Sequence, residues 1–135
     1  MYIVNTGPPA ASTGESVEYV ARNFDKSKIW DEFQTVTNEF EKAYLAQKLD
    51  SIINCVRENN KLLSHIGVVP PAIMDFITKI ERMGGAAKIS GAGSVRGQRA
   101  GMLMIISAEN PKKVCDEYGY EPVSVKGEPQ GARVV

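Results

Sequence analysis

The hydrophobic pattern of the chain changes its period at Gly84-Gly85. Before this pair, apolar residues recur at the three- and four-residue spacing of helix faces, most clearly in the stripe that ends at Met83. After it, two short apolar runs, 87–90 and 102–106, have the length and composition of strands. Helices grouped together between strands predict an α+β domain.

Four helices are predicted between the first strand and Gly84. Ser12 and Glu15 fit a capping box, in which a serine hydroxyl and a glutamate carboxylate bond reciprocally to backbone amides at the start of a helix. Two further apolar stripes, 30–44 and 45–66, change phase near Ala46 and predict two helices joined by a bend or short turn. Pro71 suits the first position of a fourth helix, which has no amide hydrogen bond to lose there.

The remaining segments define a sheet. Strands are predicted at 2–4, 87–90 and 102–106, and the nearly all-apolar third strand is expected to be buried on both faces. Asn110 as N-cap and Pro111 as first helical residue predict a short helix, and 120–126 predicts an edge strand around Pro122. A turn-rich tail, 127–131, precedes a last candidate strand, 132–135. We therefore expect one domain, 1–135, with about four antiparallel strands in a ferredoxin-like core, an inserted helical bundle, and helices on one face.

Composition excludes several classes of protein. The 135 residues fit a single domain, and 16 basic against 16 acidic side chains lack the basic excess of a dedicated nucleic-acid binder. We expect no membrane partner, because no apolar run reaches the roughly 18 residues that span a bilayer. One histidine and two distant cysteines, Cys55 and Cys115, do not suffice for a structural zinc site. Isolated thiols and the lack of a signal peptide predict a cytoplasmic protein.

A glycine-rich loop separates the second and third predicted strands. Four glycines (91, 93, 97 and 101) fall within eleven residues, interleaved with Arg96 and Arg99. Glycines let backbone N–H groups approach an anion and form a phosphate-binding nest, and arginine supplies planar donors. A plain connection between strands that needs positive φ explains the same glycines. The spacing matches neither a Walker A loop nor a dinucleotide fingerprint, so both interpretations stay open.

Other polar residues have simpler explanations. Ser12 and Thr13 are best explained as helix capping, although the same helix N-terminus can also face an anionic ligand. His65, near a helix end, is expected to satisfy a terminal carbonyl rather than to act in catalysis. The polar run 59–61 either lines a cleft or faces solvent. With a single histidine and no partner motif, no catalytic triad can be assembled.

The segment Lys88-Ile89-Ser90-Gly91-Ala92-Gly93 closely resembles the third motif of the GHMP small-molecule kinases, named after galactokinase, homoserine kinase, mevalonate kinase and phosphomevalonate kinase. Val4-Asn5-Thr6-Gly7, followed by Ser12-Thr13, resembles the first strand and helix of the family's C-terminal domain. Residues 62–68 resemble the segment before its last long helix. The resemblance covers nearly the whole chain and is strongest to the mevalonate kinase branch, with phosphomevalonate kinase and homoserine kinase as alternatives.

This resemblance implies a domain of an enzyme that uses ATP and magnesium to phosphorylate an alcohol, mevalonate or a similar small molecule, in isoprenoid-precursor synthesis. In the family, the phosphate loop, the magnesium-binding acid and the catalytic aspartate belong to an N-terminal half, whose motifs are absent here. No catalytic or metal-binding residue is therefore expected in this chain, which would cover the active-site cleft and be inactive alone. By position, Gly91, Ala92, Gly93, Ser94 and Arg96 would lie near the nucleotide phosphates, and Ser12 and Thr13 near the substrate.

The chain departs from the family pattern after Gly93, where Ser94-Val95-Arg96 stands in place of further glycines. This leaves Arg96 to contact phosphate or substrate directly, or to point to solvent. An alternative from another class is a stand-alone ferredoxin-like module that binds a small anionic effector through the loop. A domain that lacks its partner half would expose an apolar face, and a homodimer through that face is a further expectation.

Overall fold

The computed structural model describes residues 1–127 and 131. The candidate strand 132–135 and most of the predicted tail 127–131 lie outside these residues. The elements are β1 (Tyr2–Asn5), α1 (Thr13–Phe24), α2 (Ile29–Leu45), α3 (Leu49–His65), α4 (Pro71–Arg82), β2 (Ala86–Ile89), β3 (Met102–Ile106), α5 (Lys112–Glu117) and β4 (Val123–Ser124). The expected helices and strands are present in the expected order. No helix in the described part of the chain is long and apolar enough to cross a membrane.

The sheet has four antiparallel strands in the order β2-β3-β1-β4. β1 is central, because Tyr2 faces Ile105 of β3 on one side and Ser124 of β4 on the other. With α4 and α5 as its two crossover helices, this order is the ferredoxin-like arrangement, and α1–α3 form an insertion between β1 and α4. The predicted fold class is confirmed.

One face of the sheet packs against α4 and α5. The apolar stripe of α4 meets Leu103 and Ile105 of β3, and all of these side chains are at most 1% exposed. Burying each large apolar side chain of this kind contributes about 1.5–3 kcal/mol. The α4 residues of this stripe are Ile73, Phe76, Ile77 and Ile80.

The α2–α3 hairpin lies at the β2 edge and reaches over the opposite face. Ile53 and Val56 of α3 pack against Ala86 there, with Met104 and Ile106 partly buried beside them. The Arg57 guanidinium secures the hairpin to the end of α4, because its Nε and Nη2 donate to the carbonyl of Gly85 at 2.9 and 2.7 Å.

Three details of the sequence prediction are wrong. β3 is buried on one face only: Met102 is 37% exposed, since the hairpin covers only the β2 side of the second face. β4 is two residues long instead of spanning 120–126, because Pro122 has no N–H to give to a ladder. Pro111 is the N-cap of α5 rather than its first helical residue, while the Asn110 side chain accepts from the Lys112 N–H at 3.0 Å.

Candidate functional site

The loop that follows β2, residues 90–101, folds against the segment that leads into α1. The N–H of Ala11 donates to Ser94 Oγ at 3.2 Å. Gly97 lies so close to Ala10 that a Cβ on the glycine would come within 2.6 Å of the alanine Cβ. The fold thus brings together the two sequence candidates, the glycine loop and the start of α1, which are about eighty residues apart.

Thr6 closes the base of this loop. Its Oγ1 donates to the Gly101 carbonyl at 2.8 Å and accepts from the Ala100 N–H at 3.0 Å, and the side chain is 4% exposed. The Thr6 N–H donates to the same Gly101 carbonyl at 2.9 Å. In the sequence analysis, Thr6 appears only as part of the segment Val4–Gly7 that resembles the kinase family. No local pattern indicates that its side chain closes a loop that ends ninety-five residues further along the chain.

Gly93 fixes the middle of the loop against the chain that leaves α3. Its φ is +64°, and a Cβ there would lie 2.2 Å from the Val68 carbonyl oxygen and 2.5 Å from Ile89 Cδ1. The same Val68 carbonyl accepts from the Ser94 N–H at 2.8 Å. Only glycine fits this position, so part of the glycine pattern has the structural explanation that the sequence left open.

The exposed part of the loop borders an open groove. The N–H groups of Gly91 and Ala92 make no hydrogen bond to any residue that the structure describes. Both residues line a groove of about 430 Å³ between α1 and the end of α3, whose walls are largely apolar: Val17, Val20, Trp30, Leu63 and Ile66. Two backbone N–H groups without a hydrogen-bond partner among the described residues thus belong to residues that border a concavity.

The first turn of α1 stands beside this loop. Ser12 forms the predicted capping box: its Oγ accepts from the Glu15 N–H at 3.1 Å, and its N–H donates to Glu15 Oε2 at 2.7 Å. Thr13 is exposed, and its hydroxyl makes no hydrogen bond within the described residues. Ser12 is therefore engaged in capping, while the hydroxyl of Thr13 is available to a ligand.

Arg96 forms an ion pair that the sequence did not predict. Its Nη2 lies 3.0 and 3.3 Å from the two carboxylate oxygens of Glu15, and both side chains are about half exposed. The hydrogen bond from the Ser12 N–H, and then that from Arg96, lower the pKa of the Glu15 carboxyl from its usual 4.5. Ser94 is fully buried and donates to the Arg96 carbonyl at 2.6 Å, so its hydroxyl holds the loop. Neither Ser94 nor Arg96 lines the groove.

Comparisons with known proteins agree on the family. The chain is 35% identical to the mevalonate kinase of Archaeoglobus fulgidus in an alignment 97 residues long, and the match covers 68% of this chain and 32% of that enzyme. Streptococcus pneumoniae phosphomevalonate kinase in complex with phosphomevalonate and AMPPNP matches with a TM-score of 0.73 at 18% identity, over 91% of this chain and 38% of that one. L. major mevalonate kinase in complex with R-mevalonate matches with a TM-score of 0.71 at 20% identity, over 87% and 37%.

The chain belongs to the GHMP kinase family. It spans about a third of the length of the relatives that it matches. No family model matches it. The two structural matches share its fold at low identity, and the A. fulgidus enzyme is similar to it in sequence.

In the part of this GHMP kinase domain that the structure describes, no three acidic, histidine or cysteine side chains lie close enough together to hold a metal ion. His65 is the exposed last residue of α3, and its ring lies edge-on to Phe24 with 6.0 Å between centroids. The expected hydrogen bond from His65 to a terminal carbonyl is not formed with any described residue.

Arg99 is not among the residues that line the groove beside Gly91 and Ala92. A Cβ on Gly7 would come within 2.8 Å of Arg99 Cδ, so the side chain crosses the glycine closely. Arg99 lines a second open cleft together with Tyr118 and Tyr120. The two arginines of the loop therefore contact different parts of the domain: Arg96 pairs with Glu15 of α1, and Arg99 lines the cleft beside Tyr118.

Proposed function

We propose that the chain is the C-terminal domain of an ATP-dependent kinase that phosphorylates an alcohol, with mevalonate as the acceptor, in isoprenoid-precursor synthesis. The 35% identity to a mevalonate kinase supports this acceptor. Phosphomevalonate kinase is supported by similarity of fold only, at 18% identity. Free, buried Cys55 and Cys115 fit a reducing compartment, so we propose a cytoplasmic enzyme.

The observation that carries the proposal is the pair of unpaired amides at Gly91 and Ala92 beside the first turn of α1. Backbone N–H groups in a glycine loop and at a helix N-terminus both favour negative charge. In this proposal the two amides donate to phosphate oxygens of ATP, and the free hydroxyl of Thr13 lies near the acceptor. Phosphoryl transfer depends mainly on positioning and on charge neutralisation, which such donors provide.

Other residues of the site act by holding this arrangement. Gly93 and Ser94 anchor the loop to Val68 and Ala11, and Thr6 closes its base. Glu15 holds the Arg96 guanidinium at the rim of the loop, from which it would reach a phosphate group. An arginine held by a carboxylate is pre-oriented, so less side-chain entropy is lost when it binds a phosphate.

The proposal divides the work between two halves of the enzyme. ATP and magnesium would be held mainly by an N-terminal half, as the resemblance to the family implies, and the described residues of this chain contain no cluster of three candidate metal ligands. This domain would cover the cleft, exclude water and position the phosphates and the acceptor. The 135-residue chain alone is then inactive.

The test is an assay of the full-length protein with ATP and mevalonate. Thr13→Ala should lower kcat/KM about tenfold or more, as expected for one lost hydrogen bond near a charged group, and Thr13→Ser should restore most of it. Thr35→Ala, at an exposed threonine of α2, is the matched control and should leave kcat/KM unchanged. Turnover by the isolated chain, or transfer only to an unrelated alcohol, would contradict the proposal.

A further inference from the structure

A second concavity lies between the α2–α3 hairpin and the sheet. It has a volume of about 200 Å³ and apolar walls formed by Val36 and Phe40 of α2, Val56 of α3 and Met104 of β3. It shares no lining residue with the groove beside Gly91 and Ala92. An apolar cavity of about 150 Å³ is large enough to bind benzene, so this one accommodates a small organic molecule.

Two polar groups in this cavity have no partner among the described residues. Lys88 of β2 is half-buried opposite Met104, and its ammonium makes no ion pair or hydrogen bond there. Burial lowers the pKa of the Lys88 ammonium, and no nearby carboxylate offsets this. The side-chain oxygen of Asn59 is buried and accepts no hydrogen bond.

The buried Asn59 oxygen is costly in this state, because a buried acceptor without a donor loses the free energy of its hydrogen bonds to water. The Lys88 side chain is partly buried, and a carboxylate beside its ammonium would form a charge-assisted hydrogen bond. The fold gives neither group a partner, although the acidic residues Glu39 and Glu58 come close enough to raise the pKa of the neighbouring Cys55 thiol. A ligand with an acid group and a hydrogen-bond donor would satisfy Lys88 and Asn59 together.

We propose that this cavity binds a small amphiphilic carboxylic acid. Its carboxylate pairs with Lys88, a hydroxyl or amine hydrogen on it donates to the Asn59 oxygen, and its hydrocarbon part contacts Val56, Phe40 and Met104. A carboxylate fits better than a phosphate monoester, because a phosphate carries a charge of about −1.5 to −2 at neutral pH and one lysine balances only one charge. This site is additional to the proposed kinase function and does not depend on it.

The test measures binding of 2-hydroxyhexanoate and of its methyl ester, which keeps the hydroxyl but has no charge, to the ¹⁵N-labelled 135-residue chain by NMR. 2-Hydroxyhexanoate should shift the amide resonances of Val56, Lys88 and Met104 and bind at least tenfold more tightly than the ester, since charge-assisted hydrogen bonds are the stronger ones. Lys88→Met should reduce this ratio to less than twofold. Lys113→Met, at an exposed lysine of α5, is the control and should leave the ratio unchanged.

A second variant tests the cavity independently of the charge. Val36→Trp should fill it from the partly exposed side of α2 and abolish binding of both probes, with the spectrum confirming the fold. The proposal would be overturned by equal affinities for the two probes or by an affinity ratio that Lys88→Met leaves unchanged. It would also be overturned by resonance shifts centred on Val17, Leu63 and Gly91. Such shifts would place the acid in the groove beside the loop instead.

Discussion

Replacing Gly93 with alanine tests the loop geometry most sharply, because a matched control exists in the same chain. Gly93 and Gly119 have similar φ values, +64° and +70°, but a Cβ on Gly119 would meet no atom within 4 Å. Both substitutions therefore lower stability by the same cost of placing an L-residue in the left-handed region, about 1–2 kcal/mol. Gly93→Ala alone also forces a methyl group into the Val68 carbonyl, at 2.2 Å, and into Ile89 Cδ1.

The additional loss can be estimated from these contacts. Overpacking costs about 1–3 kcal/mol, and moving the Val68 carbonyl weakens its hydrogen bond with the Ser94 N–H by about 0.5–1.5 kcal/mol. We expect Gly93→Ala to lower the free energy of unfolding by about 2–4 kcal/mol more than Gly119→Ala. Urea denaturation followed by circular dichroism measures both values. Equal losses in the two variants would show that the loop does not pack against the segment after α3.

Three further predictions concern the same site. Thr6→Val keeps the shape of the side chain but removes both hydroxyl hydrogen bonds and leaves the buried Ala100 N–H unpaired, so the free energy of unfolding in urea should fall by about 1–3 kcal/mol; no loss would mean that the loop closes without this clamp. Arg96→Ala in the full-length protein should lower kcat/KM by about 10- to 100-fold if the guanidinium reaches a phosphate, and an unchanged value would leave it a loop residue only. The pKa of Glu15 is lowered in the folded state, so its stabilisation is present above the usual pKa of 4.5 and is lost as the pH falls below it. The difference in urea midpoint between the wild type and Glu15→Gln should accordingly be larger at pH 6 than at pH 3, and a pH-independent difference would refute this linkage.

The features that the sequence predicted well are those with local causes. The capping box at Ser12 and Glu15 involves groups three residues apart, and Pro71 begins α4 because of its own missing amide hydrogen. The break between α2 and α3 follows from the phase of the apolar stripe. Each of these features depends on neighbours along the chain, so no tertiary information is needed to find it.

The features that the sequence missed depend on residues far apart. The Arg96–Glu15 pair joins positions eighty-one residues apart, and the clamp from Thr6 to Gly101 spans ninety-five. The apolar run of β3 indicated burial but not how far the α2–α3 hairpin would extend over the second face, which leaves Met102 exposed. A charged residue in a strand does not indicate how deeply its side chain is buried, so the sequence could not predict that Lys88 is half-buried.

The glycine loop combines features that have local causes with features that depend on residues far along the chain. Its spacing allowed both a phosphate nest and a plain connection between strands, and the structure shows that part of the glycine pattern serves packing. Gly93 serves the packing of the loop, while Gly91 and Ala92 line the groove and their N–H groups have no partner among the described residues. Sequence spacing could not separate these roles, because the partner of Gly93 is the Val68 carbonyl on another part of the chain.

The most direct measurement is a crystal structure of the full-length protein with mevalonate and a non-hydrolysable ATP analogue. We predict a phosphate oxygen within hydrogen-bonding distance, about 2.7–3.2 Å, of the backbone nitrogen of Gly91 or Ala92. Nucleotide phosphates bound away from β2, with both of these amides covered by protein, would contradict it.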